Sequence, residues 1–180
     1  MRNELPNRRL PKVPIERRCI AFAIDFLIIW LFSLPFGANT PGIPIAQILV
    51  FIVAWLALRV ILVARNQGQS VGRWALDMKV VDPKYRKTPG LFELCKREGI
   101  LGAAAVLAMV GLTIGLANGI SLLLLITPLA VDCGVAFADA EWQQAFHDRV
   151  GRTCIVQTRR GYSLDIRVKK LLAQVTRRMK

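Results

Sequence analysis

Three ionisable residues, Asp25, Arg59 and Asp132, interrupt long apolar stretches of this 180-residue chain. An ionised side chain in membrane hydrocarbon costs at least about 2.5–3.5 kcal/mol, so such residues are usually paired or functional. Each lies six or seven residues from a charged residue beyond its stretch, about 9–10.5 Å of helix. This matched depth predicts an intramembrane charge cluster, which would be either a structural triad or a carrier of protons or cations. Asp25 is the better functional candidate, since Arg59 is long enough to snorkel to the interface.

Four apolar stretches are long enough to position these residues in a membrane: residues 19–36, 45–64, 100–117 and 119–138. As helices they would run about 27–30 Å, which matches a hydrocarbon core of about 30 Å. They lack the polar stripe that helices of a soluble bundle would carry. The sequence therefore predicts an all-α integral membrane protein, a bundle of four transmembrane helices.

Basic residues predict the orientation of this bundle. Of the 25 Lys and Arg residues, six lie in residues 1–18, eight in 65–98 and ten in 141–180. By the positive-inside rule, both termini and the 65–98 loop are cytoplasmic. The net charge of +13 then reflects topology and attraction to an anionic cytoplasmic leaflet. No nucleic-acid partner is expected, because clustered base-reading or aromatic-interleaved basic motifs are absent.

Three regions follow from these boundaries. Residues 1–18 form a cytoplasmic N-terminal segment, and residues 19–140 form the membrane domain with its cytoplasmic loop 65–99. Residues 141–180 form a cytoplasmic juxtamembrane segment and tail. The first helix is expected to remain as an anchor, since Asp25 interrupts it and no signal-peptide cleavage site follows. The four cysteines lack CxxC spacing, so we expect reduced thiols and no metal site.

The cytoplasmic parts contain short strand patterns. Residues 79–81, ended by Asp82-Pro83, and residues 153–157 are expected to pair beneath the membrane, possible strands of a small β-hairpin. Between the fourth helix and the second strand, His147 beside Asp148 could shuttle protons. The alternative is that this pair caps and salt-bridges a juxtamembrane turn.

The tail from Ser163 has the pattern of a basic amphipathic helix. Ser163 is a credible N-cap residue, and the apolar positions recur at helical spacing: Leu164, Val168, Leu171, Leu172 and Val175. Such a helix most simply lies on the anionic cytoplasmic leaflet. Docking on a partner protein is the alternative.

Two features of the third and fourth helices bear on packing. Small residues line one face of the third helix: Ala104, Ala108, Gly111 and Gly115. Such a face lets a second helix approach closely, either the fourth helix, joined by a turn at residues 117–119, or another copy of the chain. Pro128 frees the carbonyl of Leu124, which leaves either a packed kink or a ligand site.

Three motifs follow one another along the chain: Arg18 with Asp25 in the first helix, Gly68-Gln69-Ser70-Val71-Gly72-Arg73 in the loop, and Gln144-Ala145-Phe146-His147-Asp148-Arg149 after the fourth helix. In combination they resemble the RDD family of small bacterial membrane proteins, over about residues 14–157. The family is named after one arginine and two aspartates, and Arg18 and Asp25 match the first pair. Its second aspartate corresponds to either Asp132 or Asp148. The other matching residues are Gly68, Gln69, Gly72, Arg73, Gln144 and His147. Gln143 and Arg152 depart from the family pattern, which bears on contacts with a cytoplasmic partner.

The resemblance implies ion or small-solute transport that uses intramembrane carboxylates. The alternative is a non-transporting accessory, scaffold or assembly subunit, within a homo-oligomer or a larger membrane protein complex. We expect no enzymatic activity and no cofactor, because no catalytic cluster stands out. The segment Val131-Asp132-Cys133-Gly134 also lacks the Gly-x-Gly-Asp pattern of intramembrane aspartyl proteases.

Overall fold

The computed structural model describes residues 13–37, 43–114, 119–139, 144–158 and 163–164. Helix α1 (Ile15–Ser33) ends in a 3₁₀ turn, Leu34–Phe36. The next helical segment contains α2 (Ile45–Leu56), a π-helical turn (Ala57–Ile61) and α3 (Leu62–Arg65). The remaining elements are α4 (Val71–Ala75), β1 (Met78–Val81), α5 (Leu91–Ile114), α6 (Gly119–Ala138), α7 (Phe146–Val150) and β2 (Cys154–Gln157).

Three helical segments are long and apolar enough to cross a membrane: Ile15–Phe36, Ile45–Arg65 and Gly119–Ala138. They coincide with three of the four predicted spans. The other predicted span, residues 100–117, lies largely in α5, which does not qualify over its described residues. The apolar part of α5, from residue 100, is described only as far as Ile114. A stretch of spanning length within α5 therefore also includes charged side chains of its first turns, which begin at Leu91, nine residues earlier than expected: Glu93, Lys96, Arg97 and Glu98.

Apolar side chains from α1, α2 and α5 form the main core. Phe26 packs against Phe51 with ring centroids 5.8 Å apart, and Phe51 stacks on Trp55 at 5.7 Å. From α5, the buried side chains are those of Leu101, Ala105, Ala108 and Met109. Between membrane helices, such close packing of aromatic and aliphatic side chains contributes through van der Waals contacts.

Helix α6 packs against α5. A Cβ atom added to Gly111 would lie 3.0 Å from Cβ of Leu125 in α6, so the two helices are close there. This part of the small-residue face therefore contacts the fourth helix, the first of the two predicted alternatives. Pro128 lies within α6 on an exposed part of the helix, and the Thr127 hydroxyl donates to the carbonyl of Leu123 at 2.7 Å.

The two predicted strands do pair. Strands β1 and β2 are antiparallel, with Met78 opposite Gln157 and Val81 opposite Cys154. They are not a hairpin, however, because α5, α6 and α7 lie between them in the sequence. The sheet therefore joins the segment after α3 to the segment after α7.

The contacts bring four helix ends together at one end of the bundle. Arg18 near the start of α1 binds Asp148 of α7, which follows α6. Arg59 near the end of the second helical segment binds Glu98 in the first turns of α5. We call this region the charged end. Chain direction thus reverses between successive long helices.

Some predictions concern residues outside the described ranges. These are the turn at residues 117–119, Gly115, most of the N-terminal segment and the tail from residue 165 onward. Of the tail, Ser163 and Leu164 are described, and Arg17 Nη2 donates to the hydroxyl of Ser163 at 2.6 Å.

Candidate functional site

Glu98 lies at the centre of a buried charge network at the charged end. Arg59 Nε donates to one of its carboxylate oxygens and Arg73 Nη2 to the other, both at 2.8 Å. Arg97 Nη1 approaches the second oxygen at 3.4 Å. The Glu98 side chain is fully buried, so three guanidiniums replace the water that it would otherwise need.

The surroundings of Glu98 decide its protonation. Burial by itself raises the pKa of this carboxyl, but Arg59, Arg73 and Arg97 outweigh it and hold the pKa well below its ordinary value. Burial, together with repulsion from Arg97 and Arg59, lowers the pKa of Arg73 to about 9. Glu98 is therefore ionised at neutral pH and Arg73 is protonated.

Asp25 joins helix α1 to the loop that follows α3. One carboxylate oxygen accepts from Arg59 Nη1 at 2.8 Å and from the hydroxyl of Ser70 at 2.6 Å. The other accepts the backbone N–H of Gly72 at 2.7 Å. Asp25 is 3% exposed, and both of its oxygens are bound by protein donors. The predicted contact between Asp25 and Arg59 is present.

Arg59 does not snorkel to the interface. It is 2% exposed, and its guanidinium carbon lies 4.9 Å from the ring centroid of Trp55 and 5.5 Å from that of Phe22. Such contacts favour a desolvated cation. Arg59 lies in the π-helical turn, a distortion that shifts the register of side chains and often occurs at functional sites.

Asp148 forms a second centre of the network. Its carboxylate binds Arg18 of α1 and accepts from Arg97 Nε at 2.9 Å. Burial raises its pKa, but the guanidiniums of Arg97 and Arg18 outweigh burial and hold the pKa well below the ordinary value. Asp148 also accepts the N–H of Ala145 at 3.4 Å. It therefore caps the start of α7, in agreement with the predicted alternative in which this pair caps and salt-bridges a juxtamembrane turn.

Asp132 contacts His147 instead of Arg59, which corrects the predicted triad. Its carboxylate accepts the backbone N–H of His147 at 2.9 Å and lies 2.5 Å from Nδ1. The other ring nitrogen, Nε2, lies 3.2 Å from Arg97 Nη2. A neutral imidazole with its proton on Nδ1 satisfies both contacts, because a guanidinium only donates.

The three residues singled out in the apolar stretches therefore belong to one larger network. Asp132 is linked to Arg59 through His147, Arg97 and Glu98. Glu98 and Arg97 were missed because residues before 100 were assigned to the loop. The available signal was a basic and an acidic residue just before an apolar stretch, whereas the charges that were singled out interrupt such a stretch.

The remaining family-motif residues support this network from the loop. Gly68 has φ +87°, a conformation that side chains disfavour, and an added Cβ would collide with the carbonyl oxygen of Val80. A Cβ on Gly72 would collide with the carbonyl oxygen of Ala21. Two side-chain amides form hydrogen bonds with the strand region. Gln69 Nε2 donates to the carbonyl oxygen of Met78 in β1 at 2.9 Å, and Gln144 Nε2 donates to that of Thr153, directly before β2, at 3.0 Å.

The network borders a cavity of about 50 Å³. Four arginines and one histidine line it together with apolar side chains, and these basic residues are Arg18, Arg59, Arg73, Arg97 and His147. Within the described part of the chain, no group of three or more His, Cys, Asp or Glu side chains is arranged to hold a metal ion.

These features define a membrane-type helical protein whose spanning helices meet in a buried network of charges. A model of the RDD family matches residues 12–152, which is most of the chain. The protein belongs to the RDD family. No curated protein and no solved structure matches the chain.

Proposed function

We propose that this protein is a non-transporting accessory or scaffold subunit of a larger membrane protein complex. The observation that carries this proposal is that the carboxylates of Asp25 and Glu98 are bound on both oxygens by donors of the chain itself. A carrier carboxylate must release its partners to load a proton or cation. Breaking a buried ion pair typically costs about 3–5 kcal/mol, so these groups are better suited to fixing a structure.

The network fixes the loop and α7 against the membrane helices. Asp25 belongs to α1, Arg59 to the second helical segment and Glu98 to α5. Arg73 adds α4, and Asp148 adds α7. Since the carboxylates of this network bind donors from several different elements, this end of the protein would present a rigid surface to a partner.

A groove between α2 and α5 supports a partner inside the membrane. It has a volume of about 460 Å³, and its described lining is apolar apart from Glu98: Ile52, Trp55, Leu56, Gly99, Gly102, Ala103, Val106 and Leu107. Gly99 is exposed and leaves this wall without a side chain, which lets a transmembrane helix approach closely. We propose that a helix of the partner subunit occupies this groove.

Filling the groove tests the proposal. A Cβ on Gly99 would meet no atom within 4 Å, and the same holds for Gly134 on α6. Gly99→Phe should therefore fill the groove without a clash, while Gly134→Phe is a matched control that places the same ring elsewhere on the surface. The variants and the wild type would be purified from native membranes under mild solubilisation, and copurifying proteins would be quantified.

We expect one membrane protein to copurify stoichiometrically with the wild type and with Gly134→Phe, and to be lost from Gly99→Phe. The absence of any stoichiometric partner of the wild type would contradict the accessory role. Equal retention by both variants would contradict the groove as its docking site.

The accessory role includes a membrane arrangement of four spans, with residues 100–117 as the third span, so that the charged first turns of α5 lie outside it. The reversal of chain direction between successive long helices supports an even number of crossings. The excess of basic residues in residues 1–18, 65–98 and 141–180 supports a cytoplasmic location of the charged end and of both termini. The anionic leaflet is then a second partner of the basic segments.

Transport of an ion or a small solute is the second candidate function. The contact between His147 and Asp132 favours it, because imidazole and carboxylate can exchange a proton, and His147 lines the 50 Å³ cavity. A bundle this small would form a transport pathway only as a homo-oligomer. Enzymatic activity is not proposed.

A further inference from the structure

The segment that contains α4 turns its polar side chains inward and an aromatic ring outward. Within residues 68–76, Trp74 is 57% exposed, Val71 is half-buried and every other residue is buried. The polar side chains among the buried ones are those of Gln69, Ser70 and Arg73. Such a surface is typical of contact with lipid, because in water the polar side chains would face outward.

The turn that follows β1 shows the opposite arrangement. Its exposed side chains are polar or amphipathic: Lys84, Tyr85, Arg86 and Lys87. Both segments belong to the same loop between α3 and α5. The loop therefore has two surfaces of different character, one apolar at α4 and one basic at residues 84–87.

Contacts with α1 place α4 at the depth of the membrane. Ile20 is the first exposed aliphatic side chain of this spanning helix. Gly72 lies against Ala21 and donates its N–H to Asp25. Ala21 and Asp25 follow Ile20 by one and five residues, about 1.5–7.5 Å of helix. Helix α4 therefore lies beside the part of α1 that already exposes apolar side chains.

The chain returns to the charged end directly after α4. Leu76 and Met78 pack in one cluster with Val13, which precedes α1, and with Ala21. Met78 is the first residue of β1. The loop thus reaches its greatest depth near Asp25 and leaves again with β1, which is the path of a re-entrant segment.

The backbone of this segment meets the requirement for lying at membrane depth. Irregular backbone is tolerated there only where the protein itself satisfies the polar groups. Gly68 donates its N–H to the carbonyl oxygen of Val63 at 2.9 Å, and Trp74 donates to that of Ser70 at 2.8 Å. The N–H groups bound within the protein include those of Gly68, Gln69, Gly72 and Trp74.

We propose that residues 68–76 form a re-entrant membrane segment whose Val71 and Trp74 side chains contact phospholipids of the cytoplasmic leaflet. The indole ring would lie among the acyl chains close to the headgroups, a position that tryptophan favours because its ring is apolar and its N–H is polar. The segment would thereby separate the charge network from lipid. This inference is independent of the accessory role, because it concerns the lipid contact of α4 and not the groove between α2 and α5.

Quenching of tryptophan fluorescence tests the proposal in the full-length protein, reconstituted in vesicles of phosphatidylcholine and phosphatidylglycerol. The signal of Trp74 is the difference between the wild type and Trp74→Phe, with Trp74→Leu as a second reference variant in case the first does not fold. We expect phospholipids that are brominated near the headgroup end of their acyl chains to quench this signal. The absence of such quenching, which contact with water or with another protein surface would produce, would overturn the proposal.

Moving the tryptophan to the turn after β1 provides a matched control. Tyr85 is an aromatic residue of similar exposure, 64%, and the double variant Trp74→Phe/Tyr85→Trp keeps the number of tryptophans unchanged. Iodide in the aqueous phase should quench the tryptophan at position 85 about fivefold more strongly than Trp74, because ions do not enter the acyl-chain region. Brominated phospholipids should affect Trp74 alone. Equal quenching of the two positions by both agents would overturn the placement of α4 in the leaflet.

Discussion

At the scale of single residues, Glu98 is the side chain on which the network depends most. It is the only partner that Arg73 has among the carboxylates of the described residues, and it also binds Arg59 and Arg97. Removing its charge would leave three buried guanidiniums with too little compensation. This makes Glu98 a more sensitive position than Asp25 or Asp132, which the sequence singled out.

We predict that Glu98→Gln lowers the free energy of unfolding by about 3–5 kcal/mol, the usual cost of removing one partner of a buried ion pair. Glu93→Gln, on the same helix but only half-buried, is the control and should change stability by less than about 1 kcal/mol. Reversible unfolding in mixed micelles would measure both. Equal stabilities of the two variants would contradict a central role of Glu98.

The lowered pKa values of Glu98 and Asp148 predict the acid sensitivity of the fold. A carboxyl whose folded pKa is depressed stabilises the protein above its unfolded pKa, here close to the ordinary values of 4.5 and 3.8. This stabilisation is lost as the pH falls through the folded pKa. The melting temperature should therefore stay level from neutral pH to about 4.5 and fall below it.

Comparison with Glu98→Gln isolates the contribution of this residue to the pH dependence. The difference in stability between wild type and variant should be largest above about pH 4.5 and should shrink as the solution becomes more acidic. A difference that stays constant down to pH 2 would show that the charge of Glu98 does not stabilise the fold.

Only part of this residue-level picture follows from the sequence. Asp25 and Arg59 could be paired because both interrupt apolar stretches that span a membrane. The partner of Asp132 could not be predicted, since His147 comes close to it only because the chain returns at α7. Periodicity and depth place a residue along its own helix, but they do not determine which neighbour it faces.

At the scale of elements, the close approach of α4 to α1 positions Asp25. Gly72 donates its N–H to Asp25 and lies so near α1 that a Cβ would collide with the carbonyl oxygen of Ala21. The sequence indicated tight backbone at the glycines of this loop but not its cause. The cause is a tertiary contact between residues that are about 50 positions apart.

We predict that Gly72→Ala separates α4 from α1 and destabilises the protein, because backbone atoms at that position cannot move aside cheaply. Gly99→Ala is the control, since its Cβ would meet open space and alanine favours a helix by about 1 kcal/mol over glycine. Thermal unfolding should show a lower midpoint for Gly72→Ala and an equal or higher one for Gly99→Ala. A stable Gly72→Ala protein would contradict the close contact.

The elements themselves were predicted unevenly. The apolar stretches gave three spanning helices correctly, and the short strand patterns gave both strands. Helix α5 was started too late because hydropathy registers the apolar part of a helix and not its charged first turns. That the two strands pair across α5, α6 and α7, and not as a hairpin, could not be predicted, because such pairing depends on tertiary structure.

At the scale of the whole molecule, the reversals between long helices predict that the charged end and both termini face one side of the membrane. Reporter fusions at residues 118 and 180 should then report opposite sides, the second of them cytoplasmic. Reporters that indicate the same side would rule out four spans with cytoplasmic termini.

The central claim is that the buried carboxylates hold the structure together and carry no ions. Purified protein in liposomes would be tested for fluxes of protons, sodium and potassium along imposed gradients, with empty liposomes as the blank. Asp25→Asn would be compared with Glu93→Gln as a charge-matched control. We predict that none of these proteins moves ions above the blank, while Asp25→Asn is less stable than the control. An ion flux in the wild type that Asp25→Asn abolishes and Glu93→Gln retains would contradict the claim.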